Sequence, residues 1–159
     1  MTANYTPVWH GGTNQDWVAR LGEERAGKMY RSKTVWDTSA LVTWSCDEID
    51  YGDFMTWSPY LNMEVGMRRQ ITEKTKAPQY LVTKGEFPSA KEKMSIEEML
   101  LGYNINGAKQ LGIESSKGSI ECGKDADFLV FDKDLTTAEQ EGFSYNKPTD
   151  VYIEGKKMS

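Results

Sequence analysis

The chain has 159 residues, a formal net charge of −5 at pH 7 and a sequence pI near 5.0. That length suits one hydrophobic core, or one core with a small satellite, and excludes a complete eight-stranded α/β barrel, which needs about 250 residues. The 19 lysines and arginines are scattered along an acidic chain, which argues against nucleic acid or an anionic membrane as a partner.

The N-terminal stretch predicts an extended segment followed by a helix. Residues 5–9 have extended character, and the glycines at positions 11 and 12 predict a turn. Thr13 is suited to cap a helix, because an acidic residue follows three positions later and apolar residues then recur near helical spacing. We therefore expect a helix over about residues 14–30.

A buried strand and a second helix are predicted next. Residues 40–45 form a continuous apolar and β-rich run, which is typical of a strand buried on both faces in a parallel sheet. The run ends in an acidic, glycine-containing loop that begins with Asp47. Ser58 and Pro59 then begin a helix, because proline is favoured at the first helical position, and apolar residues continue to Ile71.

The middle of the chain contains the most clearly defined helix. Residues 73–94 are charged, contain two prolines and predict an irregular excursion with a short strand at residues 80–82. Ser95 and Glu98 form a capping box, in which each side chain bonds the backbone amide of the other residue. The helix that they open keeps apolar residues on one face until Gly112, a residue suited to end it.

Short strands are predicted in the C-terminal part. Residues 119–121 lie between two glycines and predict one strand, and the apolar run at residues 128–131 predicts another. Residues 151–153 and 156–158 are expected to pair as a hairpin through a Glu-Gly turn.

The change from helices to short strands predicts a domain boundary near residue 113. It separates a unit of residues 1–112 from a unit of residues 113–159. The expected fold class is α/β, or α+β for the isolated chain.

Three segments resemble a known family. Residues 118–132 are similar to the "G-S-I-x-x-G-K-x-A-D-hydrophobic" segment near the C-terminus of the amidohydrolase superfamily of metal-dependent hydrolases. Residues 94–108 resemble the family's "L-T-x-E-E-A-L" and "T-x-N-A-A" helix. Residues 58–69 resemble its "P…V-T-R" helix, in which Arg69 matches the arginine and Arg68 replaces the threonine.

The resemblance is strongest to the branch that contains D-aminoacylase-like and formamide-deformylase-like enzymes. It implies that residues 1–112 form the last β/α units of a metal-dependent-hydrolase TIM barrel. It also implies that residues 113–159 form the C-terminal strands of a small composite β-sandwich.

The resemblance also implies one catalytic position. Residues 40–47 resemble the family's eighth barrel strand, which ends in an aspartate, and Asp47 occupies that place although Ile49 replaces the family's proline. In the family this aspartate ligates a divalent metal, such as zinc, and carries a proton from the metal-activated water to the leaving nitrogen. Since the chain has one histidine and the family's metal site needs several, we expect no zinc in this chain alone. Asp47 would then be a metal ligand only if the missing barrel is supplied.

Two further residues are candidates for substrate binding through the same resemblance. His10 would match a substrate-facing residue at the end of the penultimate barrel strand, whereas a lone histidine is more often structural or simply exposed. Arg69 is the second candidate. The acidic cluster of Asp47, Glu48, Asp50 and Asp53 would suit Ca²⁺ or Mg²⁺, but its spacing lacks the EF-hand arrangement and favours a solvated loop.

The location of the protein is inferred from its cysteines and its lack of long apolar segments. Cys46 and Cys122 are the only two cysteines and make a poor disulfide framework, which favours a reduced, cytoplasmic protein. The first twenty residues contain no apolar stretch of signal-peptide length, and no segment approaches the length of a membrane span.

Two functional hypotheses follow from the sequence. In the first, the chain is the C-terminal part of an amidohydrolase-like hydrolase that cleaves carbon–nitrogen bonds other than peptide bonds with metal-activated water, and it is inactive alone. In the second, it is a non-catalytic α/β module for oligomerisation or interaction. The expected partners are a second copy of the chain or the missing N-terminal part of the barrel, and neither nucleic acid nor a membrane.

Overall fold

The computed structural model describes residues 1–11, 14–47, 57–83 and 85–158. Within these ranges the strands are β1 (Thr2–Tyr5), β2 (Leu41–Trp44), β3 (Phe128–Val130), β4 (Asp150–Ile153) and β5 (Lys156–Lys157). The α-helices are α1 (Val8–Gly11), α2 (Asn14–Leu21), α3 (Glu23–Ala26), α4 (Ser32–Trp36), α5 (Pro59–Arg68), α6 (Ile96–Tyr103) and α7 (Ile105–Leu111). The predicted mixture of helices and strands, an α/β chain, is therefore confirmed. No described helix is both long and apolar enough to cross a membrane.

The two strands of the N-terminal half pair in parallel. β1 lies against β2 with Thr2 opposite Leu41 and Tyr5 opposite Trp44, and α1 to α4 form the connection between them. The last three residues of β2 are buried, as expected for the predicted strand at residues 40–45. Because the strands run in the same direction, the residues that follow Tyr5 and those that follow Trp44 meet at one edge.

Helix α5 is the centre of the core. Its side chains from Leu61 to Met67 are all buried, which is typical of a helix enclosed on every side. Met63 and Met67 join one hydrophobic cluster, whereas Leu61 and Val65 join another on the opposite side of the helix. The predicted start is confirmed, because the Ser58 side chain accepts a hydrogen bond from an amide in the first turn.

The predicted capping box is present at the start of α6. The Glu98 amide donates to the Ser95 Oγ at 3.2 Å, and the Ser95 amide donates to the Glu98 Oε2 at 2.8 Å. The predicted single helix is nevertheless broken at Asn104, whose side-chain amide donates to the Leu100 carbonyl at 2.8 Å. Such local side-chain bonds compete with a regular helix. Gly112 ends α7 in the left-handed conformation, as predicted.

Two other predictions near the N-terminus and in the middle of the chain need correction. The helix predicted over residues 14–30 is divided at Gly22, whose φ of 77° lies in the left-handed region that glycine adopts without strain. The strand predicted at residues 80–82 was wrong. Gln79–Leu81 is instead a turn of 3₁₀ helix, in which the Leu81 amide donates to the Pro78 carbonyl at 3.0 Å.

The strand predicted at residues 119–121 was also wrong, because no strand is present there. The side chains of this segment bond one another instead. The Ser119 hydroxyl donates to the Glu121 carboxylate at 2.6 Å, and the Lys124 ammonium donates to the Ser119 Oγ at 2.6 Å. The segment is therefore a turn that side-chain hydrogen bonds hold in place.

The C-terminal strands form a separate antiparallel sheet in the order β3-β4-β5. The predicted hairpin is confirmed, since Glu154 and Gly155 have φ angles of 50° and 74° and connect β4 to β5 as a two-residue turn. The rings of Phe128 and Tyr152 stack across β3 and β4 with their centroids 4.5 Å apart.

A buried carboxylate connects the two halves of the chain. Glu64 on α5 is fully buried and accepts hydrogen bonds from the Ser144 amide at 2.8 Å and the Thr75 hydroxyl at 2.7 Å. The Arg68 guanidinium lies 3.4 Å from the same carboxylate. Since buried charges are stable only when they are paired and hydrogen-bonded, these contacts hold the segment around residue 144 against α5.

Candidate functional site

Asp47 lies where the sequence predicted it, at the C-terminal edge of the parallel strand pair. Its side chain is exposed, and its φ of 59° is a left-handed conformation that aspartate tolerates better than most residues. Trp9 in α1 donates its indole N–H to the Asp47 Oδ2 at 3.2 Å. The residues that follow β1 therefore contact the carboxylate that follows β2.

The first turn of α5 and the residues just before it contact both strand ends. Asn62 is fully buried and accepts the Val8 amide on its Oδ1 at 2.9 Å. The Cys46 thiol donates to the Trp57 carbonyl at 3.0 Å. Burial raises the pKa of the Cys46 thiol, so the group is a neutral structural donor at physiological pH.

His10 and Arg69 form a contact in the interior, although they are 59 residues apart. The Arg69 Nη1 lies 2.5 Å from the His10 Nδ1, and both side chains are at most 1% exposed. Arg69 also donates to the backbone carbonyls of Phe87 and Tyr30, each at 3.0 Å. Three contacts of one guanidinium thus hold together α1, the end of α5 and two loops, and a fourth, longer contact reaches the Ser32 hydroxyl at 3.4 Å.

The electrostatics of this pair follow from burial. Desolvation, and then the positive charge of Arg69, lower the pKa of His10 well below its usual 6.5, so the imidazole is neutral at pH 7. Desolvation also lowers the pKa of Arg69, to about 10, which leaves the guanidinium charged at pH 7. The carboxylate of Glu92 partly opposes that decrease.

The structure thus places the three predicted residues in two neighbouring groups. Asp47 is exposed and contacts Trp9. His10, which follows Trp9 in the sequence, contacts Arg69 in the interior. The burial of His10 argues against the alternative that it is merely exposed. The catalytic role of Asp47 and the substrate-binding roles of His10 and Arg69 stay predictions.

Sequence reasoning missed the supporting residues. Trp9 was not among the predicted site residues, and its adjacency to the lone histidine at a strand end was the available clue. Asn62 and Glu64 are polar residues inside a helix that is otherwise apolar, a pattern that indicates buried hydrogen-bonding groups.

The described residues do not fit the metal centre that the resemblance implies. They contain no cluster of three or more His, Cys, Asp or Glu side chains able to hold an ion. The one imidazole lies against a guanidinium, whose charge repels a cation. Asp47 offers a single carboxylate, and the other members of the predicted acidic cluster, Glu48, Asp50 and Asp53, lie outside the described residues.

A cavity of about 1000 Å³ lies elsewhere, between the α6–α7 pair, β2 and the antiparallel sheet. We call it the apolar groove, and its walls include Trp44, Tyr103, Leu111, Ile120, Leu129 and Tyr152. Asp47, His10 and Arg69 are not among its lining residues. The groove and the predicted catalytic position are therefore distinct features of the molecule.

The chain belongs to the amidohydrolase family, whose sequence profile matches residues 4–158. The resemblance to that superfamily is therefore confirmed. Among curated relatives, the imidazolonepropionase of Shewanella sp. (strain ANA-3) is 44% identical over 66 residues, which are 40% of this chain and 16% of that protein. The imidazolonepropionases of Shewanella sp. (strain W3-18-1) and Shewanella baltica (strain OS155 / ATCC BAA-1091) are each 42% identical over 66 residues. The match spans 16% of the length of each relative.

Proposed function

We propose that this chain supplies the last β/α units of an amidohydrolase barrel, and C-terminal strands of its small β-sandwich, to a hydrolase of carbon–nitrogen bonds other than peptide bonds. The position of Asp47 carries the proposal, because an exposed carboxylate after a buried parallel strand is where barrel enzymes keep catalytic groups. Family membership supports the hydrolytic chemistry. Within that family, the motifs at residues 94–108 and 118–132 support the D-aminoacylase-like and formamide-deformylase-like branch.

In this proposal Asp47 accepts a proton from the attacking water and returns it to the leaving nitrogen. A carboxylate can do this only within hydrogen-bond reach of that water, so its orientation matters. The Trp9 indole N–H holds one carboxylate oxygen and supports such an orientation.

The two free thiols, Cys46 and Cys122, support a reducing, cytoplasmic location.

The test compares Asp47 with a matched surface acid. Asp37 ends α4 and is exposed, and its carboxylate pairs with Lys33 rather than with either strand end. In a protein that joins this chain to the missing barrel portion, Asp47→Asn should reduce the hydrolysis of carbon–nitrogen bonds by at least about 100-fold. Asp37→Asn should leave the rate unchanged. Full activity of Asp47→Asn would contradict the proposal.

The isolated chain provides a second test. We expect no turnover and less than one tightly held zinc ion per chain, because one histidine cannot form the several-ligand site that the family uses. Elemental analysis of the purified chain measures the zinc. A full equivalent that is lost in Asp47→Asn would show that this chain builds a metal site by itself.

One observation favours the second candidate function, a non-catalytic module that self-associates. Large apolar side chains around the groove are exposed, including Leu111 at 72% and Ile120 at 86%. Leu129 and Ile153 on the antiparallel sheet add to this surface. Proteins seldom leave apolar surface and strand edges uncovered, so a second copy or the missing barrel portion is the proposed cover.

Light scattering at micromolar concentration shows whether a second copy of the chain covers this apolar surface. Self-association predicts a mass of at least twice the 18.0 kDa of one chain. Ile120→Lys should lower that mass. Lys109→Ala, at an exposed position in α7 that does not line the groove, should not. A monomeric mass with a cooperative thermal transition would exclude self-association.

A further inference from the structure

The contact between His10 and Arg69 determines which imidazole nitrogen carries the proton. A guanidinium has five N–H donors and no acceptor. The His10 Nδ1, 2.5 Å from the Arg69 Nη1, must therefore accept the hydrogen bond with its lone pair. The proton of the neutral ring is then on Nε2.

We propose that Arg69 is a positioning residue that fixes His10 in the Nε2–H tautomer, and that this N–H donates to a small oxygen acceptor, water or a carboxylate. His10 would accordingly be a hydrogen-bond donor and not a metal ligand. The tautomer rests on the buried contact alone. The identification of a carboxylate acceptor as part of a substrate would rest on the proposed hydrolase function.

The need for an acceptor follows from the surroundings of Nε2. This nitrogen is buried and has no hydrogen-bond partner among the described residues. Buried donors in folded proteins are nearly always paired, with protein groups or with bound water. A small ligand atom next to Nε2 is therefore the simplest explanation of the geometry.

Two aromatic rings pack against the imidazole and restrict its rotation. The Tyr30 ring stacks on the imidazole with a centroid distance of 5.0 Å, and the Tyr5 ring meets it edge-on at 5.8 Å. The imidazole is therefore held by a stacked ring, by a perpendicular ring and, at Nδ1, by Arg69. Such a ring cannot turn to present its other nitrogen without breaking the guanidinium contact.

The same contact excludes His10 as an ordinary metal ligand. A histidine binds a metal through an unprotonated nitrogen and usually donates its other N–H to an acceptor. Here the other nitrogen already accepts from Arg69, so a metal on Nε2 would leave the ring without any proton. That imidazolate form, next to a second cation, is not expected near neutral pH.

Nuclear magnetic resonance of the ¹⁵N-labelled full chain tests the tautomer directly. The chain has a single histidine, so its long-range ¹H–¹⁵N correlations give one imidazole pattern that needs no assignment by mutation. At about pH 7 we expect a protonated Nε2 and an unprotonated Nδ1. A protonated Nδ1, or a ring protonated on both nitrogens, would overturn the proposal, and this measurement needs no variant.

Variants then test whether Arg69 sets the tautomer. Arg69→Met should give a mixture of both neutral tautomers, and Arg69→Lys, which keeps a donor, should restore the wild-type pattern. Arg68→Met is the matched control, because Arg68 contacts Glu64 and Glu141 and not His10. If Arg69→Met does not fold, Arg69→Lys and the wild-type spectrum still decide. An unchanged pattern in folded Arg69→Met would refute the positioning role.

Titrations identify the acceptor on Nε2. Sodium formate is the carboxylate probe, because it is small enough for an enclosed site. A saturable change of the Nε2–H resonance identifies a carboxylate, and a hydrogen-bonded resonance that formate does not change identifies water. If the Nε2–H resonance lacks the shift of a hydrogen-bonded proton, the proposed acceptor is refuted. If the Nε2–H resonance disappears on addition of Zn²⁺, His10 binds metal and the proposal is overturned. None of these results depends on turnover, so failure of the hydrolase proposal would leave them intact.

Discussion

Replacing Gly102 with alanine tests the contact between α6 and β2. A Cβ atom at this position would lie 2.1 Å from the Trp44 Nε1, and 2.5 and 2.8 Å from two carbons of the same indole. Trp44 is 6% exposed, and its ring stacks on Trp36 with an interplanar angle of 4°. The indole therefore has little room to move away from an added methyl group.

The expected magnitude combines two opposing effects. Alanine in a helix is favoured over glycine by about 0.5–1 kcal/mol. Forcing an extra methyl group into a packed core costs about 1–3 kcal/mol, and a rigid indole at this distance places Gly102 at the upper end. We expect Gly102→Ala to lower the free energy of unfolding by about 2 kcal/mol.

Gly107 in α7 provides the matched control, because the nearest atom to its added Cβ is a backbone oxygen at 3.6 Å, an ordinary contact. Gly107→Ala should therefore raise the free energy of unfolding by about 0.5–1 kcal/mol. Gly66→Ala should be intermediate, since the added Cβ would meet the flexible side chain of Met99 at 2.6 Å.

Urea unfolding followed by far-ultraviolet circular dichroism measures all three variants. The difference in free energy of unfolding between Gly102→Ala and Gly107→Ala should be about 3 kcal/mol. Equal stability of these two variants would show that α6 does not lie against the Trp44 ring as described.

Three further predictions concern stability. The lowered pKa of His10 means that the unfolded chain binds a proton that the folded chain does not, so stability is complete above about pH 6.5 and falls below it. Between about pH 7.5 and 5.5 the free energy of unfolding should fall by about 1.4 kcal/mol more in wild type than in His10→Gln, and parallel curves would contradict this. Ser95→Ala should cost about 1 kcal/mol through loss of the capping box, while Ser116→Ala, at an exposed turn, should cost much less in the same urea titration. Glu64→Ala should cost about 3–5 kcal/mol because it leaves buried donors unpaired, whereas the exposed Glu141→Ala should cost under about 1 kcal/mol; similar melting temperatures for the two would exclude Glu64 as a buried junction.

Elements defined by short-range chemistry could be predicted from the sequence. The capping box at Ser95, the left-handed end at Gly112 and the hairpin turn at Gly155 each depend on a few neighbouring residues. The strand β2 was predictable because a buried parallel strand has a continuous apolar run. The same run also located Asp47, since the residue after such a strand lies at the sheet edge.

The wrong predictions at residues 119–121 and at residue 104 have local physical causes that the secondary-structure propensities of the residues do not predict. Residues 119–121 have strand-like composition, but Ser119, Glu121 and Lys124 satisfy one another with side-chain hydrogen bonds. Asn104 breaks a helix by bonding the carbonyl four residues earlier.

The interior of the candidate site depends on contacts between distant parts of the chain. His10 and Arg69 are 59 residues apart, and no periodicity in either segment indicates that they meet. Trp9 and Asp47 are separated by 38 residues and come together only because β1 and β2 are parallel neighbours. The sequence could therefore identify the candidate residues but not their pairing.

The buried carboxylate of Glu64 also constrains which C-terminal segments could replace the one in this chain. Its partner at Ser144 is a backbone amide, which any residue other than proline provides. A C-terminal segment grafted onto this chain must therefore bring a main-chain amide to position 144, in addition to a side chain that fills the place of the buried Phe143. A graft with a shifted loop would remove the Gly142 and Ser144 amides from this buried carboxylate, even if every side chain around it were kept.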